Sequence, residues 1–304
     1  MKKTSIGGQA LIEGILMLGP ENAAIAIRKP DGEIVIEKKP LPKKNWVSKV
    51  PVARGVMNFA KQIVFGMRAL MYSADFVDLE EEQSEPSKLD KFFERLFGDR
   101  FKDIAIYAAV VVAIAFSLGL FVLLPNFIAT LAGFQNTIAY NLFEGLVRIV
   151  IFFIYLKLAS MMKDIKRVWE YHGAEHKTIH CYEHGDELTV ENVRKYSTKH
   201  PRCGTSFMFL VMIVSILVFS LVPLGNVWFN VLIRLALVPL VAGLSYEVLK
   251  FAGRHSEWTI MKIINAPGML FQIFTTREPD DAQIEVAIAA FCNVLVQDKD
   301  ADNW

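Results

Sequence analysis

Four apolar stretches in this chain are each long enough to cross a lipid bilayer as a helix. A hydrocarbon core of about 30 Å requires roughly 20 helical residues. The first and third stretches carry no charged side chain, and we expect Pro125 and Pro223 to end them because proline cannot continue a helix. The four predicted spans are residues 104–124, 138–160, 207–224 and 227–249.

Charged residues interrupt the second and fourth stretches. Glu144 and Arg148 are four residues apart, so their side chains lie on one helix face and can pair. Charges within a membrane are costly and usually face the interior of a helix bundle. We therefore interpret the pair as a neutralised structural pair, with a polar lining to a site or pathway as the alternative. In the fourth stretch, Arg234 and Glu247 are too far apart to pair with each other.

Lysine and arginine are distributed unevenly among the connections between these stretches. The short connections at residues 126–137 and 225–226 contain none, whereas the central loop at 161–206 contains eight. Because positive residues are retained on the cytoplasmic side, both termini and the central loop are predicted to face the cytoplasm.

The N-terminal region has the pattern of a small β element. Asp31-Gly32 lies between two alternating runs, residues 23–27 and 33–37, which is typical of a β-hairpin. The glycine-punctuated residues 7–14 that precede it are expected to form tight backbone turns.

Apolar residues recur at helical spacing along residues 52–77 and 89–97, which indicates amphipathic helices on the membrane surface or packed on the core. These patterns predict a mainly α-helical integral membrane protein with four transmembrane helices. The predicted segments are an N-terminal β-hairpin element at 1–50, cytosolic or interfacial amphipathic helices at 51–102, a four-span membrane domain at 103–250 with a cytosolic His/Cys loop at 161–206, and a cytosolic C-terminal helical segment at 251–304.

The overall charge and the cysteine content exclude two classes of protein. A net charge of +1 does not fit a nucleic-acid-binding protein with a broad basic face. Three cysteines suggest no disulfide framework and fit a reducing compartment.

Four of the six histidines stand at a strict four-residue spacing, at positions 172, 176, 180 and 184. Residues 163 to about 184 have helical character, so neighbouring histidines share a face, but the face drifts too far for all four to bind one ion. His172 and His176 enclose Glu175 in the order H-x-x-E-H. In inverzincins, which share this order, the two histidines bind zinc and the glutamate polarises a water molecule.

Further metal ligands follow this motif in the chain. His200 and Cys203 lie beside Pro201 and Gly204, which suggests a fixed turn that returns both side chains to the helix. His180, Glu183 and Glu187 are other candidates. We predict a divalent metal ion, with zinc as the first choice because imidazole and thiolate are its preferred ligands. The predicted ligands are His172, His176, His200 and Cys203, with Glu175 as the general base.

Other interpretations of the histidine segment stay open. It is also consistent with a solvated helix that has a histidine-rich polar face, or with a pH-responsive surface. A third alternative is a closed structural site, in which four protein ligands fill the coordination shell and no chemistry follows.

Several motifs together resemble the YqhQ-like family of bacterial multi-pass membrane proteins, over nearly the whole chain. They are Gly7-Gly8-Gln9-Ala10 with Glu13-Gly14, Tyr171-His172-Gly173-Ala174-Glu175-His176-Lys177, His200-Pro201-Arg202-Cys203-Gly204-Thr205, and Ala266-Pro267-Gly268 with Gln283-Ile284-Glu285-Val286-Ala287. The resemblance implies a protein of the bacterial inner membrane and supports the five site positions named above. The family is described as predicted metal-dependent enzymes, and the resemblance supplies no substrate.

Two main functions are consistent with these features. The first is a metal-dependent membrane hydrolase that acts at the cytoplasmic face on a lipid, a membrane peptide or a cytosolic metabolite. The alternative is a non-enzymatic, membrane-anchored assembly or regulatory factor with a structural metal site and a protein partner on the cytosolic face. A transporter that uses Glu144 and Arg148 is less favoured, because no internal repeat is evident. The oligomeric state stays open.

Overall fold

The computed structural model describes residues 3–41, 46–76, 101–222, 226–255 and 258–296. Within these ranges the chain is mainly helical and has a small N-terminal antiparallel sheet, as predicted. Its elements are β1 (Gly7–Leu11), β2 (Gly14–Leu18), β3 (Asn22–Arg28), β4 (Ile34–Pro40), α1 (Ala53–Ala74), α2 (Phe101–Leu118), α3 (Leu124–Leu131), α4 (Thr137–Ala159), α5 (Lys163–His184), α6 (Val190–Val193), α7 (Gly204–Ser220), α8 (Val227–Arg254), α9 (Thr259–Thr275) and α10 (Asp281–Cys292).

The chain divides into two compact units. Unit 1 contains the described parts of residues 1–77, 155–218 and 236–304, and unit 2 those of residues 78–154 and 219–235. The predicted second amphipathic stripe at residues 89–97 and the predicted helix end at Pro223 lie outside the described residues.

The N-terminal sheet has four strands in the order β1-β2-β3-β4, and it is therefore larger than the predicted hairpin. The predicted hairpin corresponds to β3 and β4, with Gly32 at φ 88° in the turn. The expected tight turn is present at residues 12–13, just before Gly14, but Gly7–Leu11, for which no strand was predicted, pairs with β2. The backbone of β2 passes close to Gly8, since a Cβ atom at this position would lie 2.6 Å from the carbonyl oxygen of Leu16.

Both faces of this sheet are covered within unit 1. Side chains alternate between the faces of a strand, and Ile15 and Met17 of β2 accordingly join a cluster with α5 and α10. Leu16 points to the opposite face and joins a cluster with Ala69 of α1. Complete burial of an aliphatic side chain contributes about 1.5–3 kcal/mol, so this core holds α5 firmly against the sheet.

Helix α5 has the predicted bounds and ends at Gly185, whose φ of 84° gives the left-handed conformation common after a helix C-terminus. Its central residues 171–179 are all buried, although they include two histidines, a glutamate and a lysine. Buried polar groups are costly unless they have partners. The partners of these buried groups therefore outline the candidate functional site.

Two helices among the described residues are long and apolar enough to cross a membrane, Val111–Leu131 and Phe229–Arg254. Helix α7 is apolar but shorter, and α4 coincides with the predicted second span. These helices are consistent with membrane association. The number of four spans and their orientation stay predictions.

The prediction that Pro125 ends the first span is wrong, because the helix continues to Leu131 after a π-helical segment at Gly119–Leu123. A proline lacks the N–H group that would bond the carbonyl four residues earlier, here that of Phe121. Arg148 supplies a side-chain donor to this carbonyl, since its Nε donates to the Phe121 oxygen at 2.8 Å. A side chain from α4 thus makes proline tolerable inside this helix.

The predicted pair of Glu144 and Arg148 is present, and a second arginine joins it. Arg234 donates from Nη1 to Oε1 of Glu144 at 2.6 Å and from Nη2 to Asn141 at 2.9 Å. Both guanidinium groups lie over the ring of Phe219, at 5.6 and 5.4 Å from its centroid. One carboxylate thus faces two guanidinium groups, so the cluster keeps one net positive charge. Hydrogen bonds to Asn141 and to the Phe121 carbonyl, and the face of the Phe219 ring, stabilise the two guanidinium groups inside unit 2, which fits the structural interpretation of the pair.

Candidate metal centre

Helix α5 presents the first group of candidate metal ligands on one buried face. His172, Glu175 and His176 stand at positions i, i+3 and i+4, which lie side by side on a helix. Cys203, immediately before α7, approaches this face with its Sγ 3.2 Å from Nε2 of His172. One ligand atom from each of His172, His176 and Cys203 lies within 4.8 Å of the other two, and all three residues are buried.

Backbone carbonyl groups set the orientation of both imidazole rings. Nδ1 of His172 lies 2.7 Å from the carbonyl oxygen of Thr275, and Nδ1 of His176 lies 2.5 Å from that of Thr198. A carbonyl oxygen only accepts hydrogen bonds, so the proton that a neutral imidazole keeps sits on Nδ1 in each ring. Nε2 is then the nitrogen available to a cation, as is usual for metal-binding histidines.

Gly173 explains how the Thr275 carbonyl comes so close to α5. A Cβ atom at this position would lie 2.0 Å from the carbonyl oxygen of Arg277, whose own amide donates to Trp169 at 2.9 Å. The segment that follows α9 therefore packs directly against the backbone of α5. A glycine inside a helix costs about 1 kcal/mol relative to alanine, and here it permits that approach.

Glu175 has one satisfied and one free carboxylate oxygen. Oε1 accepts a hydrogen bond from the amide of Gly8 at 2.8 Å. Oε2 is buried and has no hydrogen-bond partner among the described residues. Burial raises the pKa of Glu175, although positive charge on His172 and His176 opposes this. A buried carboxylate oxygen without a partner calls for a ligand, an ion or a water molecule.

His172 and Cys203 form a charged pair in the absence of a cation. Burial by itself would lower the pKa of His172, but the negative charge of Cys203 raises this pKa to about 9. Burial would raise the pKa of Cys203, but positive charge on His172 and His176 holds it well below its ordinary value. The lowered pKa of Cys203 favours the thiolate that a metal ion requires, and a binding cation would displace the proton of His172.

A second group of candidate ligands lies beside the first and contains His180, Glu183 and His200. Oε1 of Glu183 accepts hydrogen bonds from Arg202 and, at 2.8 Å, from the amide of Thr4. Burial would raise the pKa of Glu183, but His200 and Arg202 lower it to about 2. Burial lowers the pKa of His200 to about 4. At neutral pH this group therefore contains a carboxylate and a neutral imidazole.

The structure places the predicted site residues in two neighbouring groups. It brings His172, His176 and Cys203 together with Glu175, whereas His200 belongs with His180 and Glu183. The two groups adjoin, since the rings of His176 and His200 have centroids 5.7 Å apart. The metal-ligand and general-base roles stay predictions.

Sequence reasoning missed the groups that orient these side chains. The amide of Gly8 and the carbonyl groups of Thr198 and Thr275 belong to the backbone, which every residue shares, so no side-chain pattern marks them. His180 and Glu183, which lie three residues apart on one helix face, were named as further candidate ligands, and the structure places both in the second group.

Comparisons with known proteins identify relatives but no solved fold. The family described as "Protein of unknown function (DUF1385)" matches residues 50–297. The uncharacterized protein YqhQ of Bacillus subtilis (strain 168) is 37% identical over 295 residues, which cover 95% of this chain and 92% of that protein. No solved structure gives a significant match.

Proposed function

The chain belongs to the DUF1385 family, whose function is unknown, and we propose that it is a metal-dependent hydrolase of the bacterial inner membrane with its site at the cytoplasmic face. One observation carries this proposal. The buried ligand atoms of His172, His176 and Cys203 converge within 4.8 Å, beside a glutamate that has an unpartnered oxygen. Structural zinc sites have four protein ligands, whereas catalytic sites have three and an open position.

The donor atoms fit a zinc ion. Two imidazole nitrogens and one thiolate are preferred zinc ligands, and nitrogen and sulfur donors of a tetrahedral zinc ion lie roughly 3.5 Å apart. The separation of 3.2 Å between Nε2 of His172 and Sγ of Cys203 is close to that value. The backbone carbonyl groups that hold both Nδ1 atoms leave Nε2 free for the ion. We therefore propose zinc as the resident ion.

Glu175 is the residue that we propose as general base. A divalent ion held beside it would polarise a carbonyl or phosphoryl oxygen and make a water molecule more acidic. The free Oε2 of Glu175 would take a proton from the attacking water, while the Gly8 amide holds the carboxylate in place through Oε1. Burial shifts the pKa of Glu175 upward, in the direction of neutral pH. Such a shift suits a group that takes up a proton and then releases it.

We further propose four membrane spans, with both termini and the loop at residues 161–206 in the cytoplasm. Helices Val111–Leu131 and Phe229–Arg254 are long and apolar enough to span, and α4 and α7 would supply the other two. Glu144 and Arg148 of α4 have partners inside unit 2, and Lys157 near the end of α4 can reach the membrane interface, so these charges do not prevent insertion. The excess of lysine and arginine in the central loop supports the orientation.

The position of Cys203 favours a substrate at the membrane surface. Cys203 directly precedes α7, a helix of 17 residues without a charged side chain. If α7 spans the membrane, its first turn and Cys203 lie at the cytoplasmic surface. We therefore favour a lipid or a membrane peptide over a cytosolic metabolite.

Purified full-length protein in detergent and in vesicles tests this proposal. We expect Glu175→Gln to retain the metal ion and to lose hydrolysis of a panel of phospholipid, lipid-ester and membrane-peptide substrates. His176→Ala should lose both the ion, measured by elemental analysis, and the activity. Retention of full activity by Glu175→Gln, with loss of the ion in His176→Ala, would contradict the catalytic role. It would favour the non-enzymatic assembly or regulatory factor.

A further inference from the structure

We propose that His180, Glu183 and His200 form a second site for a divalent transition-metal ion, next to the site that contains Cys203. The protein would then hold two cations along one face of α5. This second site is inferred from its own residues, and only the purpose of the second ion rests on the proposed function.

The geometry of the three side chains fits one ion. One ligand atom from each lies within 4.8 Å of the other two. Oε2 of Glu183 lies 3.5 Å from Nε2 of His200, while two nitrogen or oxygen donors of a tetrahedral ion with bonds of about 2.1 Å are roughly 3.4 Å apart. The same separation is long for an ordinary N–H···O hydrogen bond. The two atoms are thus better placed to share an ion than to bond each other.

His200 supplies an independent indication that a ligand is missing. Its Nε2 is buried and lacks a hydrogen-bond partner in the part of the chain that the structure describes. The backbone of His200 is fixed by Gln272, whose amide group donates to the His200 carbonyl at 2.7 Å and accepts from its amide at 2.8 Å. The ring is therefore held in position with an unsatisfied nitrogen directed at Glu183.

Hydrogen bonds orient the carboxylate of Glu183 before any ion binds. Arg202 and the amide of Thr4 both donate to Oε1, which leaves Oε2 facing the histidines. A buried ion pair between Glu183 and Arg202 explains the position of Oε1. It does not explain why Nε2 of His200 lies at the other oxygen, or why His180 joins the same group.

The ring of His180 resembles those of the first group. Its Nε2 lies 2.8 Å from the carbonyl oxygen of Lys199, so the proton sits there and Nδ1 has the lone pair that a cation needs. His200 must exchange one contact on binding, because its Nδ1 accepts from the Arg202 amide at 3.3 Å. That hydrogen bond is long, and metal ligation at Nε2 would replace it by a stronger interaction.

The two sites differ in chemical character. The first contains a thiolate, which favours zinc, whereas the second contains two imidazoles and a carboxylate, which also suit iron(II), cobalt(II) or manganese(II). The rings of His180 and His200 have centroids 4.7 Å apart, and His176 and His180 are one helical turn apart. Paired metal ions hold both the attacking and the leaving oxygen in many hydrolases, and a second cation here would add that capacity.

Metal stoichiometry and cobalt spectroscopy on the full-length protein in detergent test the inference. The protein is stripped with a chelator, loaded with cobalt(II) and desalted, and the metal content is compared with the intensity of the thiolate-to-cobalt absorption band. We expect two ions per chain in the wild type. His180→Gln should keep one ion and the full thiolate band, whereas Cys203→Ala should keep one ion and lose the band.

His184→Gln is the matched control, since His184 lies one turn beyond His180 and is exposed. It should bind as many ions as the wild type. Glu183→Gln is a second test of the site, and size-exclusion chromatography and circular dichroism verify that each variant is folded.

The outcomes separate this inference from the proposed function. One ion in the wild type that His180→Gln and Glu183→Gln both keep would overturn the second site and leave the first intact. One ion that His180→Gln loses and Cys203→Ala keeps would support the second site and overturn the proposed catalytic one. No bound ion in the wild type would overturn both.

Discussion

The amide of Gly8 donates a hydrogen bond of 2.8 Å to Oε1 of Glu175, and this contact joins the first strand of the N-terminal sheet to the helix that carries the candidate metal ligands. The sheet therefore does more than cover a hydrophobic face of α5. It positions the carboxylate that we propose as general base.

Gly8→Ala tests this connection. A Cβ atom at Gly8 would lie 2.6 Å from the Leu16 carbonyl oxygen and 3.0 Å from Cδ of Glu175, so β1 or the glutamate must shift. Such overpacking costs about 1–3 kcal/mol. We expect a lower thermal unfolding temperature and a loss of hydrolytic activity. Gly7→Ala is the matched control, because a Cβ there meets no atom within 4 Å. Equal stability of the two variants would contradict the prediction.

Gly173→Ala should weaken metal binding even though alanine favours a helix by about 1 kcal/mol. The new Cβ would lie 2.0 Å from the Arg277 carbonyl oxygen and would push the segment after α9 away from α5. The Thr275 carbonyl would then release Nδ1 of His172, and loss of such an orienting contact costs about 10–100-fold in metal affinity. Competition titration with a zinc chelator measures the change. Gly204→Ala, which has open space around the new Cβ, should bind zinc like the wild type.

Metal affinity should rise with pH up to about 9. The pKa of His172 is about 9 in the absence of a cation, so at lower pH the ion must displace one proton from this ring. The lowered pKa of Cys203 favours its thiolate, so we expect no further proton from this residue. Each pH unit below 9 should therefore reduce the apparent affinity about tenfold. Zinc titrations between pH 6.5 and pH 9 measure this slope.

Cys203→Ser is the control for the pH dependence. Without the thiolate, the cause that raises the pKa of His172 is removed, and the histidine is largely neutral above its ordinary pKa. The residual affinity of this variant should be nearly independent of pH between 7.5 and 9. A slope equal to that of the wild type would show that another group releases the proton.

Pro125 and Arg148 should be energetically coupled. Arg148→Met removes a charged donor to the Phe121 carbonyl, which lies four residues before Pro125, and loss of a hydrogen bond from a charged group costs about 1.5–3 kcal/mol. In a Pro125→Ala background the new N–H can bond that carbonyl, so Arg148→Met should be less damaging. A double-mutant cycle on unfolding in detergent measures the difference. Additive effects of the two substitutions would contradict the coupling.

The spacing of side chains along α5 was enough to place three of the four residues of the first group. His172, Glu175 and His176 recur with the period of a helix, and the predicted helix at residues 163–184 has those bounds. Cys203 was identified by its chemistry as a thiol near a fixed turn. Periodicity along one segment carries such information because it determines which side chains share a face.

Contacts between distant segments were beyond sequence reasoning. Arg234 pairs with Glu144, which is 90 residues earlier in the chain, and nothing in either segment specifies how their helices are aligned. The division of the histidines into two groups depends on where the loop before α7 places His200. The strand Gly7–Leu11 was missed because glycines usually mark turns, and the close approach of backbone that requires Gly8 exists only in the folded sheet.

The hydrogen bond from His172 to Thr275 joins residues 103 positions apart, with α7, α8 and α9 between them. During synthesis, His172 leaves the ribosome long before the carbonyl group that orients its ring. A centre of full affinity can therefore form only after the last of these helices has been translated and has packed. Capture of the ion at the cysteine-containing centre would be a late step of biogenesis, and a truncated chain would reach the bilayer without it.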